Sequence, residues 1–233
     1  MLVAAAMCPC PPLLVPEVAS GAAAELDSLR AACDEALRTV LAAGPDLIAV
    51  VGTGASTAVH EQGTPGSFRP YGVDLDVRLG LGDAAGELPL SLTVGAWLLE
   101  RAGWTGAVRG LEVPDGNDWP ANGEHGVHVS EWAPRLGMLV MGDGSARRSL
   151  KAPGYLDDRA EALDAEIAAA LANNDSDGFF PDLDATTARE LMVSGRSPWQ
   201  VLCGAAREDF RCRLLYEDAP YGVGYFVATW SGQ

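Results

Sequence analysis

Two thiols stand two residues apart in the stretch CPCPPLLVPE, where Cys8 and Cys10 follow an apolar run at the start of the chain. A C-x-C pair of this kind can ligate a soft metal, exchange a disulfide, or lie buried and inert. All three readings are open at this point. Histidine, the usual partner of such chemistry, is scarce: His60 lies just beyond a glycine-rich stretch, and His125 and His128 are spaced i, i+3. Two histidines at that spacing can share a metal only from one helical face, and the polar stretch around them reads as a loop. The segment GDGSARR brings Asp143, Ser145, Arg147 and Arg148 together, and adjacent arginines can hold a carboxylate or phosphate or pair with surface acids. GTGAST, residues 52–57, can cradle a phosphate or form a tight turn; it lacks the full G-x-G-x-x-G of dinucleotide sites. Nothing marks an activated serine of a Ser-His-Asp triad.

The elements that must position these residues follow from hydrophobic periodicity. Leu2 to Met7 is a continuous apolar run, the pattern of a strand covered on both faces. Helical spacing follows from about Val18 to Ala42, with Leu26, Leu29, Cys33 and Leu37 on one face. Leu47 to Val51 is a second buried strand, expected to run into a turn at Gly52-Thr53-Gly54, so that strand, helix and strand make a βαβ unit. Residues 63–86 are rich in Gly, Pro and Asp and read mostly as loop, with an alternating strand from Val73 to Leu79. A helix over Leu90–Ala102 and a strand near Ala107–Val113 come next. Asp115 to Ser130 is expected to be a loop, and Leu136–Met141 a buried strand. Helices follow from about Leu156 to Leu171, Ala185 to Ser194 and Trp199 to Ala206. Arg211–Tyr216 and Gly222–Trp230 close the chain as strands. No repeat or low-complexity linker divides residues 1–233. The expectation is one α/β domain, with a central, mostly parallel or mixed sheet and helices on both faces.

Composition narrows the partners. The formal charge of −16 argues against nucleic acid, which needs clustered cations. No apolar run reaches the roughly 18 residues of a membrane span. The N-terminal MLVAAAMC lacks a basic flank and is read as a buried strand of a cytoplasmic protein rather than a signal. Five scattered cysteines make a disulfide framework and a structural zinc site improbable expectations. In open α/β sheets ligands sit beyond the carboxyl ends of the strands. The three distinctive strand ends, CPCPP, GTGAST and GDGSARR, should therefore converge on one site.

Taken in order, these pieces resemble the class III extradiol ring-cleavage dioxygenase superfamily, which includes LigB-like and Memo-like proteins. The resemblance rests on the first strand into CPCPPLLVPE, on DLIAVVGTGAST, LGMLVMGDGSARR and ELMVSGRSPWQVL, and on the closing APYGVGYFVATW. It implies Fe(II) held by two histidines and a glutamate, with a further histidine as acid–base. Carried over by position, the first ligand falls on Cys10, the second on Ala55 and Ser56, and the acid–base on Ala146 after Ser145. The carboxylate falls on Glu190, near Ser194-Gly195, where Memo-like proteins carry a C-G pair.

Two functions follow from the resemblance. One is a metal-dependent oxygenase of a small aromatic or phenolic substrate. Its metal, Fe(II) or another divalent transition ion, would be held by Cys10, His60 and Glu190. Ser145 would sit at the catalytic turn and Arg147 or Arg148 would orient an anionic group. The other is a catalytically inactive member with no metal, which acts as an accessory subunit beside a partner, as a homo-oligomer, or as a small-molecule-binding or interaction protein. A metal-free hydrolase or nucleotide-binding protein, resting on GTGAST and GDGS alone, is a third.

Overall fold

Apolar runs too short for helices and bounded by Pro or Gly set the strands, and these assemble into one sheet. The computed structural model describes residues 1–173, 178–207 and 210–232. In chain order, β1 (Leu2–Cys8) leads through a 3₁₀ turn at Pro12–Leu14, α1 (Pro16–Ala19) and a second 3₁₀ stretch (Ser20–Leu26) into α2 (Asp27–Ala42). Next come β2 (Leu47–Gly54), β3 (Ala58–His60), β4 (Pro65–Ser67), β5 (Asp76–Arg78), α3 (Leu90–Arg101), β6 (Ala107–Pro114), α4 (Trp119–Ser130) and β7 (Leu136–Met141). The chain then forms α5 (Ala160–Ala172), α6 (Phe179–Asp182), α7 (Ala185–Glu190), α8 (Arg196–Ala205), β8 (Phe210–Asp218) and β9 (Tyr225–Gly232).

The seven-stranded sheet has the order β3-β6-β2-β7-β1-β9-β8. Its four central strands, β6, β2, β7 and β1, run parallel, while β3, β9 and β8 pair antiparallel at the two sides. β4 and β5 form a separate hairpin against α3. The sheet separates two apolar cores, as a sheet covered on both faces must. Leu37, Val40, Leu92 and Leu98 of α2 and α3 pack on one face; Ile167, Leu171, Trp199 and Leu202 of α5 and α8 pack on the other. The α/β architecture with a mixed central sheet and helices on both faces is therefore the observed one. Among the described residues, no helix is long and apolar enough to cross a membrane.

Three local expectations need correction. Residues 52–54 are not a turn: β2 continues to Gly54 in register with Glu112, Val113 and Pro114 of β6. The glycines serve close approach instead. A Cβ on Gly52 would lie 2.7 Å from Ser91 Cβ of α3, and one on Gly54 would overlap the Glu112 carboxylate. The stretch after Asp115 is not all loop, because α4 occupies Trp119–Ser130. Asp118 caps it by accepting the Ala121 N–H at 3.1 Å, and Pro120 falls in its first turn. The buried Asn122 then donates to Gln200 of α8 at 2.8 Å, so tertiary packing holds a helix whose own periodicity is poor. The helix between β1 and β2 also begins later than the periodicity suggests, with a 3₁₀ stretch up to Leu26 before α2.

Candidate functional site

With β1, β7 and β2 parallel and adjacent, their carboxyl ends meet at the head of the sheet, as the strand-end argument requires. Prolines 9, 11 and 12 stop β1, and the turn carries Cys10 across the end of β7. There the Cys10 N–H donates to Asp143 Oδ1 at 2.8 Å, while its Sγ lies 4.0 Å from Asp143 Oδ2. The Asp143 backbone is clamped from the other side. Its N–H donates to Ser194 Oγ at 3.0 Å, and the Gly195 N–H donates to its carbonyl at 2.9 Å. Ser194 O in turn accepts the Thr53 hydroxyl at 2.6 Å, and Thr53 O accepts the Ser91 hydroxyl at 2.6 Å. One hydrogen-bonded line thus crosses the sheet head from the end of β1 to the end of β2 and on to α3.

The electrostatics of this line follow from burial among like charges. Asp143 is pushed up from 3.8 to about 7 by burial, against the pull of the Cys10 N–H. Burial raises the Cys10 thiol well above its usual range, and the nearby carboxylates of Asp143 and Asp115 add to the effect. Tyr225, at the start of β9, is raised first by burial and then by Asp143 and Cys10. Asp115, at the rim, is raised by burial while Thr53, Arg189 and Arg196 pull it back. The head of the sheet therefore offers a carboxyl that changes charge near neutrality beside a thiol that stays protonated.

The two cysteines of the opening motif divide between different surroundings. Cys8 is buried on the strand beside Cys33 of α2, whose thiol is raised by that neighbour and by burial; Cys10 belongs to the strand-end line. Cys8, Cys10 and Cys33 are in no disulfide. The C-x-C spacing is thus two buried thiols in separate roles.

The remaining candidate residues do not gather around Cys10. His60, on β3, bonds through Nε2 to Glu112 Oε2 of β6 at 2.9 Å, and Glu112 Oε1 accepts the Ser56 N–H at 3.1 Å. Glu190 is exposed at the end of α7, where Arg159 donates to it at 2.8 Å. Ser145 is fully buried: its hydroxyl donates to Leu191 O at 2.6 Å and its N–H to Asp164 Oδ1 at 2.8 Å. Arg148 donates to Asp164 at 2.8 Å, whereas Arg147 Nε is buried without a hydrogen-bond partner. His125 and His128 lie on α4 at helical spacing, with His128 exposed and edge-on to Trp132. Among the described residues, no group of three or more His, Cys, Asp or Glu side chains could hold a metal ion. Fe(II) held by two histidines and a carboxylate does not fit this donor set: Cys10 stands at the first ligand position and Ala55 and Ser56 at the second, so neither carries an imidazole.

Asp143, Glu112, Thr53 and Tyr225 are the site residues that the sequence did not single out for a role. Glu112 carries one legible signal, a lone carboxylate between the apolar Leu111 and Val113 of its strand, which has to find a buried partner. A surface cleft of about 650 Å³ lies elsewhere, against the β4–β5 hairpin, where Arg69 and Arg78 are already paired with carboxylates.

No protein-family model matches the chain, and no curated protein matches it. Among solved structures, it is similar to that of an uncharacterized protein, JW3007, from Escherichia coli K12. The TM-score is 0.59 and the identity 15%, over 99% of this chain and 100% of that one. At that identity the likeness concerns the fold alone.

Proposed function

We propose that this chain is a small-molecule-binding protein on a scaffold that resembles the class III extradiol dioxygenases, without their ring-cleavage chemistry. The observation that carries the reading is the fate of the ligand positions. Cys10 occupies the first position that the resemblance implies, with its backbone tied to Asp143, and the candidates that would complete a metal site are engaged elsewhere, His60 by Glu112 and Glu190 by Arg159. The strand-end position is nevertheless built. Cys10, Asp143, Ser194 and Thr53 are held in one hydrogen-bonded line at the place where open α/β sheets take ligands. Asp143 can donate a hydrogen bond to a ligand when protonated and accept one when ionised, which suits hydroxyl and amide groups better than a cation.

The oxygenase reading makes a distinct demand, a stoichiometric transition metal. Protein purified without oxygen and offered Fe(II), Mn(II), Cu(I) and Zn(II) in turn is expected to retain no tight equivalent and to consume no oxygen with catechols. One equivalent of metal that is lost on Cys10→Ala, together with catechol-dependent oxygen uptake, would overturn the proposal and restore the oxygenase.

A further inference from the structure

We propose that Arg147 anchors the oxyanion of a small ligand, a carboxylate or a phosphate monoester. The apolar body of that ligand would lie on the exposed side chains Leu150, Tyr155, Leu156 and Met192. The inference deepens the binding-protein reading and rests on it, because Arg147 belongs to the same β7 exit loop as Asp143.

Arg147 Nε is the one buried side-chain nitrogen or oxygen among the described residues without a hydrogen-bond partner. An unpaired buried donor is costly, and a native structure that keeps one has a reason to. The neighbouring cations show what an ordinary outcome looks like. Arg148 is bonded to Asp164, and Arg159 to both Asp157 and Glu190. Asp157 even donates its N–H to Arg147 O at 3.1 Å, yet its carboxylate goes to Arg159. Arg147 makes no salt bridge among the described residues, and its attraction for the Asp157 carboxylate is the weakest of the influences on that group, in a chain of net charge −16 whose residues 144–156 carry three cations and no Asp or Glu.

Backbone geometry points to the same spot. Tyr155 and Met192 adopt φ of 61° and 56°, left-handed values that disfavour large side chains. Both side chains are displayed to solvent, 62% and 43% exposed. Met192 reaches Gly154, the residue before Tyr155, where a Cβ would overlap Met192 Sδ and lie 2.7 Å from Arg147 Cγ. An unpaired guanidinium nitrogen and a left-handed apolar residue therefore meet at this glycine, with a second left-handed apolar residue next to it in the chain. A planar guanidinium takes a carboxylate or phosphate through paired N–H donors, and the exposed rim takes an apolar tail.

Ligand-dependent thermal stabilisation and calorimetry of the metal-free chain test the assignment, with acetate, inorganic phosphate, hexanoate and hexyl phosphate as probes and hexylamine as the cationic control. Saturable binding of hexanoate and hexyl phosphate is expected, each tighter than its short counterpart by about tenfold or more. The carboxylate and phosphate arms decide between the two headgroups. Arg147→Gln and Arg147→Lys should both weaken binding by about tenfold, since lysine keeps the charge but not the paired N–H edge. Arg38→Gln, on an exposed part of α2, should leave it unchanged. Tyr155→Gly removes strain and rim together, so it should raise the melting temperature while narrowing the gap between hexanoate and acetate. The proposal is overturned if neither anion class binds, if hexylamine binds as well as hexanoate, or if both Arg147 variants bind like the parent. None of these outcomes depends on metal or oxygen uptake, so a failure here is distinct from a failure of the binding-protein reading.

Discussion

Asp143→Asn is the substitution that most directly tests the electrostatics of the strand-end line. The native carboxyl sits at about 7 against 3.8 for its ordinary value, because burial disfavours the charged form. Between those two values the native state holds more protons than the unfolded chain. Its contribution is therefore complete below the lower value and is lost as pH rises through about 7. At about 1.4 kcal/mol per unit, the whole span amounts to roughly 4 kcal/mol, which is an upper figure. Asparagine keeps an oxygen to accept the Cys10 N–H and carries no charge at any pH. The assay is urea unfolding of both proteins from about pH 5.5, clear of the isoelectric point near 4.4, to about pH 8.5. Taking the difference between them at each pH cancels the other titrating groups. The variant should gain on the parent by about 2 kcal/mol across that range, with the gain levelling off above about pH 7. A pH-independent difference would show that Asp143 titrates as an ordinary carboxylate. A parent that gains on the variant as pH rises would reverse the sign and refute the burial argument.

Gly52→Ala should cost about 1–3 kcal/mol by forcing its Cβ against Ser91, and Ser91→Gly in the same chain should recover a substantial part in a double-mutant cycle of unfolding free energies. Arg148→Met leaves Asp164 buried without its cation and should cost roughly 3–5 kcal/mol by urea unfolding, whereas Asp164→Asn in that background should restore stability, since asparagine still accepts the Ser145 N–H.

The elements with strong local patterns were legible in the sequence for a plain reason. The runs that became β1, β2 and β7 are apolar throughout, and any strand covered on both faces has to look that way. The helix α4 was not legible, although Asp118 and Pro120 mark its start, because its glycines blur the periodicity and its stability comes from α8. The glycines at 52 and 54 look like a turn in sequence and act as clearance for Ser91 and Glu112 in space. The candidate site divides in the same manner. That the strand ends after Cys8, Gly54 and Met141 should converge was inferable from parallel neighbours, and Cys10 lies at that end. That Asp143 would be its partner was not, because the two residues are 133 positions apart.

Residue types and their order thus determined the sheet, its two covered faces and the end at which its parallel strands converge, since hydrophobic burial acts on patterns that are local in the chain. What each polar group does at that end was decided only by tertiary structure. Hydrogen-bond partners and desolvation depend on which distant segments arrive within about 3 Å. His60 met Glu112, Glu190 met Arg159, and Asp143 met Cys10, while Arg147 Nε was buried without a partner.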